Sequence, residues 1–309
     1  MKTTWMSRAP GSLMLFGEHA VLHGKPAIAC AIDHWLTIEW QARDDTQVHI
    51  VTDFIEHHTD WQTLTPEPKL SFVMTVLKLF RQQAPQACQR GLNITIRSDI
   101  NATQGLGSSS AVVAAMVTGL SVLCDTLASV EARFQLGLAS IRAVQGTGSG
   151  TDLAVALSGG ILRFDPKMLT MQRLADQLPI VSVYCGYKTP TPQVIRQVEA
   201  LWPKHHPLFE QWLIWISHIT NAACEAIQLN NLAELGRCMN MAHGLMHGLG
   251  VSDSNLDAIA HRLRACEGLY GAKISGSGLG DCVIAIGTPC TPLTDALPVH
   301  TSALGAHCF

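Results

Sequence analysis

The sequence predicts a mixed α and β protein in two domains, and three observations carry that reading. The chain has 309 residues, enough for two domains of ordinary size. Segments with strand character alternate with segments of helical spacing in both halves. Between the halves, after Asp165-Pro166, residues 165–177 turn polar, which places the division at residues 1–170 and 171–309.

Composition narrows the function. Apolar residues make up 47%, ample for packed cores, and the net charge of −3 offers no basic surface for nucleic acid or an anionic membrane. Residues 1–10 carry Lys2 and Arg8 without an apolar stretch, which does not read as a signal peptide. No apolar run of about 18 residues is present, so no membrane span is expected. The 10 cysteines are scattered singly without Cys-x-x-Cys, the usage of free thiols in a reducing, cytoplasmic setting. Neither histidine pair, His57-His58 or His205-His206, stands at a metal-ligand spacing.

The elements follow in order. Residues 5–16 read as a strand interrupted by a Pro10-Gly11 turn, and residues 17–26 as a charged, glycine-bounded loop. Within that loop Glu18 and His19 stand side by side, as solvated loop residues or as groups facing a ligand. Residues 27–32, 35–41 and 48–52 read as strands, and residues 53–68 as an exposed polar loop. Leu70, Val73, Met74, Leu77 and Phe80 have helical spacing, and Pro85 ends that helix. Residues 92–96 alternate as a strand, and residues 130–144 form a helix with Phe134, Leu138, Ile141 and Val144 on one face. Strands at 161–164, 180–184 and 282–286 and helices at 193–201, 209–228, 232–249 and 256–267 complete the reading. The last helix is capped from Ser252-Asp253-Ser254-Asn255.

Three glycine-rich stretches remain. In the first, Gly105-Leu106-Gly107 runs into Ser108, Ser109 and Ser110 and then an apolar helical segment. Glycines let a ligand approach the backbone, and a helix N-terminus offers unpaired amides and the positive end of its dipole. The combination is an anion cradle, most naturally for phosphate. The plainer alternative is a buried helix with serine as its N-cap. Without Gly-Lys-Ser/Thr it is not a Walker A loop. In the second stretch, residues 145–152, Asp152 is either a functional carboxylate or the N-cap of a helix starting at Leu153. The third runs Lys273-Ile274-Ser275-Gly276-Ser277-Gly278-Leu279-Gly280-Asp281.

Taken in order with Ala9-Pro10-Gly11 and Leu15-Phe16-Gly17-Glu18-His19-Ala20-Val21-Leu22-His23-Gly24-Lys25-Pro26-Ala27, these stretches make the chain resemble the GHMP kinase superfamily, and within it the mevalonate kinases. Leu249-Gly250-Val251-Ser252 is similar to a family segment near the substrate. The resemblance implies an α+β GHMP kinase fold, with a ribosomal S5 domain 2-like N-terminal domain and a ferredoxin-like C-terminal domain meeting at a cleft. It implies transfer of the γ-phosphoryl group of ATP to a small alcohol, mevalonate first, in isoprenoid precursor synthesis. Gly105, Leu106, Gly107, Ser108, Ser109 and Ser110 would hold the ATP phosphates, with Ser109 on Mg²⁺. Asp152 would be catalytic, and Glu18, His19, Thr189, Ser275, Gly276 and Ser277 would meet the acceptor. No nucleic-acid or membrane partner follows, and a homodimer is compatible with the sequence.

Two departures stand out. Mevalonate kinases usually carry Lys directly after Ala-Pro-Gly, where this chain has Ser12; Lys188 is the candidate replacement, against the reading of an ordinary exposed lysine. They also carry a Mg²⁺-binding Glu where this chain has Ile141. The Gly280-Asp281-Cys282 ending is similar to phosphomevalonate kinases. Phosphomevalonate kinase, another small-alcohol kinase of the superfamily, and a catalytically inactive metabolite sensor therefore stay open as alternatives.

Overall fold

A computed structural model describes residues 3–101, 104–203 and 205–309. Lys2 and the Ala102-Thr103 start of the phosphate stretch lie outside the described residues. The strands of the first half are β1 (Thr4–Phe16), β2 (Ala27–Ala42), β3 (Gln47–Val51), β4 (Glu56–Asp60), β5 (Leu92–Ser98), β6 (Ile161–Asp165) and β7 (Thr170–Ala175). Those of the second half are β8 (Ile180–Tyr184), β9 (Leu269–Ser275), β10 (Cys282–Gly287), β11 (Leu297–Val299) and β12 (His307–Cys308). The helices are α1 (Ser71–Gln83), α2 (Ser108–Leu120), α3 (Val130–Gln145), α4 (Thr151–Ser158), α5 (Thr191–Leu201), α6 (Pro207–Gln228), α7 (Leu232–Leu249) and α8 (Ser254–Arg264).

The first sheet has the order β12-β1-β2-β5-β3-β4, with β6 on β2 and β7 on β6. All its pairs are antiparallel except β3 with β5. The second sheet is antiparallel with the order β11-β8-β10-β9. Numbered from β8, that is the 4-1-3-2 order of a ferredoxin-like domain, with a loop in place of a helix between β10 and β11.

Several elements differ from the sequence reading. Pro10-Gly11 does not turn the chain: β1 runs through it, with a register shift opposite Asp33 and His34 of β2. Proline's missing N–H is tolerated at such an irregularity, and the same bulge joins the two strands expected at 27–32 and 35–41 into one. The polar loop at 53–68 contains β4, a hairpin partner of β3 whose sequence, EHHTD, hides its alternation. β7 carries the first sheet past the division at 170, and β12 returns to it from the far end of the second half.

Helix α2 is apolar on every side, and from Ser110 to Leu120 every residue but Val112 is buried, between β1 and the helices α1, α3 and α4. Trp5 and Trp40 stack at 5.8 Å beside it, and the Trp5 indole N–H donates to the Gly119 carbonyl at 3.0 Å. A Cβ on Gly119 would come within 2.3 Å of the Trp40 ring, so this face of α2 requires glycine. That packing fixes the N-terminus of α2 at the junction of the two sheets.

Candidate active site

The phosphate stretch is built from two left-handed glycines, Gly105 at φ 68° and Gly107 at φ 69°. Gly107, not a serine, is the N-cap of α2, and no side chain caps the helix. The first amides therefore stay open to a ligand, together with the positive end of the dipole. The loop lies directly on β1: Ser12 N–H donates to the Leu106 carbonyl at 3.0 Å, and a Cβ on Gly107 would stand 2.0 Å from Ser12 Oγ.

Asp152 does not cap α4 either. The N-cap is Gly150, and Asp152 lies within the first turn of the helix. Its carboxylate accepts a hydrogen bond from Ser12 Oγ at 2.7 Å. Burial pushes its pKa up; the Ser12 hydrogen bond pulls it back, the Glu18 charge raises it, the Lys188 charge lowers it and the Asp281 charge raises it.

Lys188 comes from the loop between β8 and α5, and its Nζ lies 3.4 Å from Asp281 Oδ1. That loop is fastened on both sides of the lysine. Tyr187 O accepts from Asp281 N–H at 2.9 Å, and Tyr187 OH donates to Asp253 Oδ2 at 2.6 Å. Thr189 Oγ1 donates to Leu279 O at 2.6 Å. The Thr189 hydroxyl is thus committed to the third glycine stretch, and Thr189 does not line the cleft as an acceptor contact.

Glu18 and His19 sit where the loop after β1 meets β9 and the third glycine stretch. Glu18 pairs with Lys273 Nζ, and both side chains are buried. The second Glu18 oxygen, Oε2, has no hydrogen-bond partner. Burial lowers the Lys273 pKa, against the opposing pull of the Glu18 charge. His19 has φ 58°, and its Nε2–H donates to Ser277 O at 2.8 Å. Burial lowers the His19 pKa, which favours the neutral ring. Ser275 Oγ donates to Met14 O at 2.8 Å, a second tie between β1 and the second sheet.

These groups share one cleft, with about 1160 Å³ of space including its open mouth. It brings together Glu18, His19, Gly105, Gly107, Ser108, Ser109, Ser110, Asp152, Lys188, Ser275, Gly276 and Ser277. Leu106 stays out of it, with its side chain in the core. Ile141 lines it from α3, an apolar surface in place of a carboxylate. Two contributors escaped the sequence reading as site residues: Lys273, the buried partner of Glu18, and Asp281, the partner of Lys188. A charged residue ending a glycine run was the one available signal for Asp281.

The donor set fits a nucleotide phosphate better than a resident metal. The open α2 N-terminus and its serine hydroxyls suit phosphate oxygens. The cleft carboxylates are engaged by Lys273, Ser12 and Lys188, and no group of three His, Cys, Asp or Glu among the described residues could hold a metal ion. A Mg²⁺ ion carried in by phosphates, keeping its waters, fits the serine hydroxyls without a carboxylate cage.

Comparison with known proteins agrees with this geometry. Residues 71–160 match the family described as GHMP kinases N terminal domain, and residues 223–292 that described as GHMP kinases C terminal. Mevalonate kinase of Thermococcus onnurineus (strain NA1) is 32% identical over 298 residues, covering 91% of this chain and 88% of that protein. Mevalonate kinase of Pyrococcus abyssi (strain GE5 / Orsay) is 31% identical over 299 residues, with 91% and 88% covered. The crystal structure of a Lin0012 protein from Listeria innocua superposes with a TM-score of 0.87 at 20% identity, covering 99% of each chain. The chain belongs to the GHMP kinase family, and it is a kinase.

Proposed function

We propose that the chain transfers the γ-phosphoryl group of ATP to mevalonate, forming 5-phosphomevalonate. The observation that carries this is the meeting of an uncapped helix N-terminus, a carboxylate and a lysine in one cleft: α2, Asp152 and Lys188. Likeness to mevalonate kinases over 91% of the chain supports the acceptor.

The residues divide the work as follows. The amides at the start of α2, with Ser108 and Ser110, cradle the phosphates of ATP. Bound Mg²⁺, held by the Ser109 hydroxyl and the phosphates, would supply charge neutralisation. Asp152 Oδ1 is occupied by the Ser12 hydrogen bond, which leaves Oδ2 to take the proton of the acceptor hydroxyl. Lys188 places positive charge near Asp152 and the phosphate loop, where negative charge moves during transfer. Glu18, His19, Ser275, Gly276 and Ser277 form the acceptor wall. The 10 cysteines, scattered singly along the chain, suit a reducing, cytoplasmic setting.

One observation weighs against a phosphorylated acceptor. Lys188 and His19 are the only basic side chains among the described residues lining the cleft, and Lys188 already faces a carboxylate. A second phosphate would call for further Arg or Lys. The test is coupled ADP release with mevalonate, 5-phosphomevalonate and other small alcohols. Mevalonate should give the highest kcat/KM; a higher value for 5-phosphomevalonate, or no turnover with any acceptor, overturns the proposal.

A further inference from the structure

Asp281 is an expensive residue for its position. It has φ 64° within a run of positive values, Gly276 at 87°, Gly278 at 83°, Leu279 at 53° and Gly280 at 140°. Glycine adopts that conformation freely, whereas an L-residue carries a steric penalty for its Cβ, reduced for Asp and Asn. The carboxylate is also buried, at 6% exposure, and its Oδ1 has no hydrogen-bond partner. Strained, buried polar groups of this kind persist where the surroundings over-determine them, which is characteristic of working sites.

The surroundings do over-determine it. Asp281 N–H donates to Tyr187 O at 2.9 Å, and Asp281 O accepts from Cys185 N–H at 3.0 Å, so its backbone is bonded to the residue before Lys188 and to one further back. On the other side, a Cβ on Gly105 would stand 2.6 Å from Asp281 Cγ; the phosphate loop gives up a side chain to let the carboxylate in. Lys188 Nζ lies 3.4 Å from Oδ1, close enough for an ion pair but not a well-formed hydrogen bond. The ammonium thus keeps its donors for a ligand while its direction is set. A lysine stem is flexible, and an unheld ammonium would spread over many rotamers.

We infer that Asp281 is a positioning residue for Lys188, holding the ammonium over the phosphate loop so that the second domain supplies the cation that Ser12 does not. This rests on the role of Lys188 in the proposed reaction. It makes the catalytic charge a product of the domain junction: the phosphate loop, the third glycine stretch and the loop after β8 must all be in place before Lys188 is aimed.

The test uses the full chain and compares wild type, Lys188→Met, Asp281→Asn, Asp281→Gly, and Lys188→Met with Asp281→Asn. Turnover, acceptor KM, thermal melting, and calorimetric binding of a non-hydrolysable ATP analogue are measured on each. A misaimed catalytic group costs about 10²-fold. Asp281→Asn and Asp281→Gly should each lower kcat by about that factor, with acceptor KM and analogue affinity little changed. Neither should lower the melting temperature, because Gly relieves the backbone and Asn removes a buried charge. In the Lys188→Met background, Asp281→Asn should bring no further loss. Wild-type kcat in Asp281→Asn, an equal loss in both backgrounds, or a fall in kcat that follows a fall in melting temperature overturns the inference and leaves the kinase reading intact. Wild-type kcat in Lys188→Met removes the assigned role of Lys188, and the inference with it.

Discussion

Ser12 donates its hydroxyl to Asp152 over 2.7 Å, so the residue that replaces the family's usual lysine holds the carboxylate that would accept the acceptor proton. The departure is therefore a change of partner rather than a vacancy. The hydrogen bond favours the ionised form of Asp152, against burial, which raises its pKa. In Ser12→Ala the pKa should move further up, and the acid limb of the kcat/KM profile with it toward higher pH. Losing one hydrogen bond of about 1 kcal/mol should lower kcat/KM about fivefold on the acid side of that limb. An unmoved acid limb counts against Asp152 as the titrating base.

Asp152→Asn separates catalysis from folding. Since Gly150 caps α4, no cap is lost. A carboxylic acid whose folded pKa is raised stabilises the fold below its unfolded pKa, and that contribution is lost as pH rises through the folded pKa. At neutral pH the charged carboxylate is therefore a cost, which Asn removes. The melting temperature should be equal or higher near pH 7, with the difference shrinking in acid. Turnover should fall at least about 10²-fold, the lower range for a general base. Retained turnover would leave Asp152 without a catalytic role.

The Glu18–Lys273 pair predicts non-additive stability, since both side chains are buried, Lys273 at 0% exposure. Removing one partner strands the other charge, so Lys273→Met should cost about 3–5 kcal/mol in denaturant unfolding. Combining it with Glu18→Gln should recover a large part of that loss, because no charge is then left unpaired. Simple addition of the two single losses would show that the pair is not coupled.

Ser109→Ala removes a half-exposed hydroxyl at the mouth of α2 without touching its cap. Melting should not change, turnover should fall, and saturation should require more Mg²⁺. An unchanged Mg²⁺ titration removes Ser109 as the metal contact.

Legibility in the sequence followed the physics of each element. The helix at 71–83 and the strands at 92–98 and 180–184 stood out because they bury one face or lie wholly inside, and their periodicity shows it. β4 did not, since an edge strand reading EHHTD buries little, and the Pro10-Gly11 bulge was read as a turn because proline punctuates both. In the site, Gly105, Gly107 and Asp152 are marked by local chemistry. Lys273 and Asp281 are not, because their roles depend on partners 255 residues away at Glu18 and across a strand pair at Lys188. Thr189 was expected as an acceptor contact from the family resemblance, whereas its hydroxyl reaches Leu279.

The ties between the domains also decide where the molecule can give. Glu18 to Lys273, His19 to Ser277, Ser275 to Met14 and Cys282 to Gln104 join the two halves in a seam beside the cleft. Two bodies joined along such a seam cannot swing apart about it. Elsewhere the packing is looser: a Cβ on Gly146 or Gly186 would meet nothing within 4 Å, and one on Gly148 would meet only Ile141 and Arg142. Sparse packing of this kind yields first. The loops that carry Gly146, Gly148 and Gly186 should therefore give before the seam does.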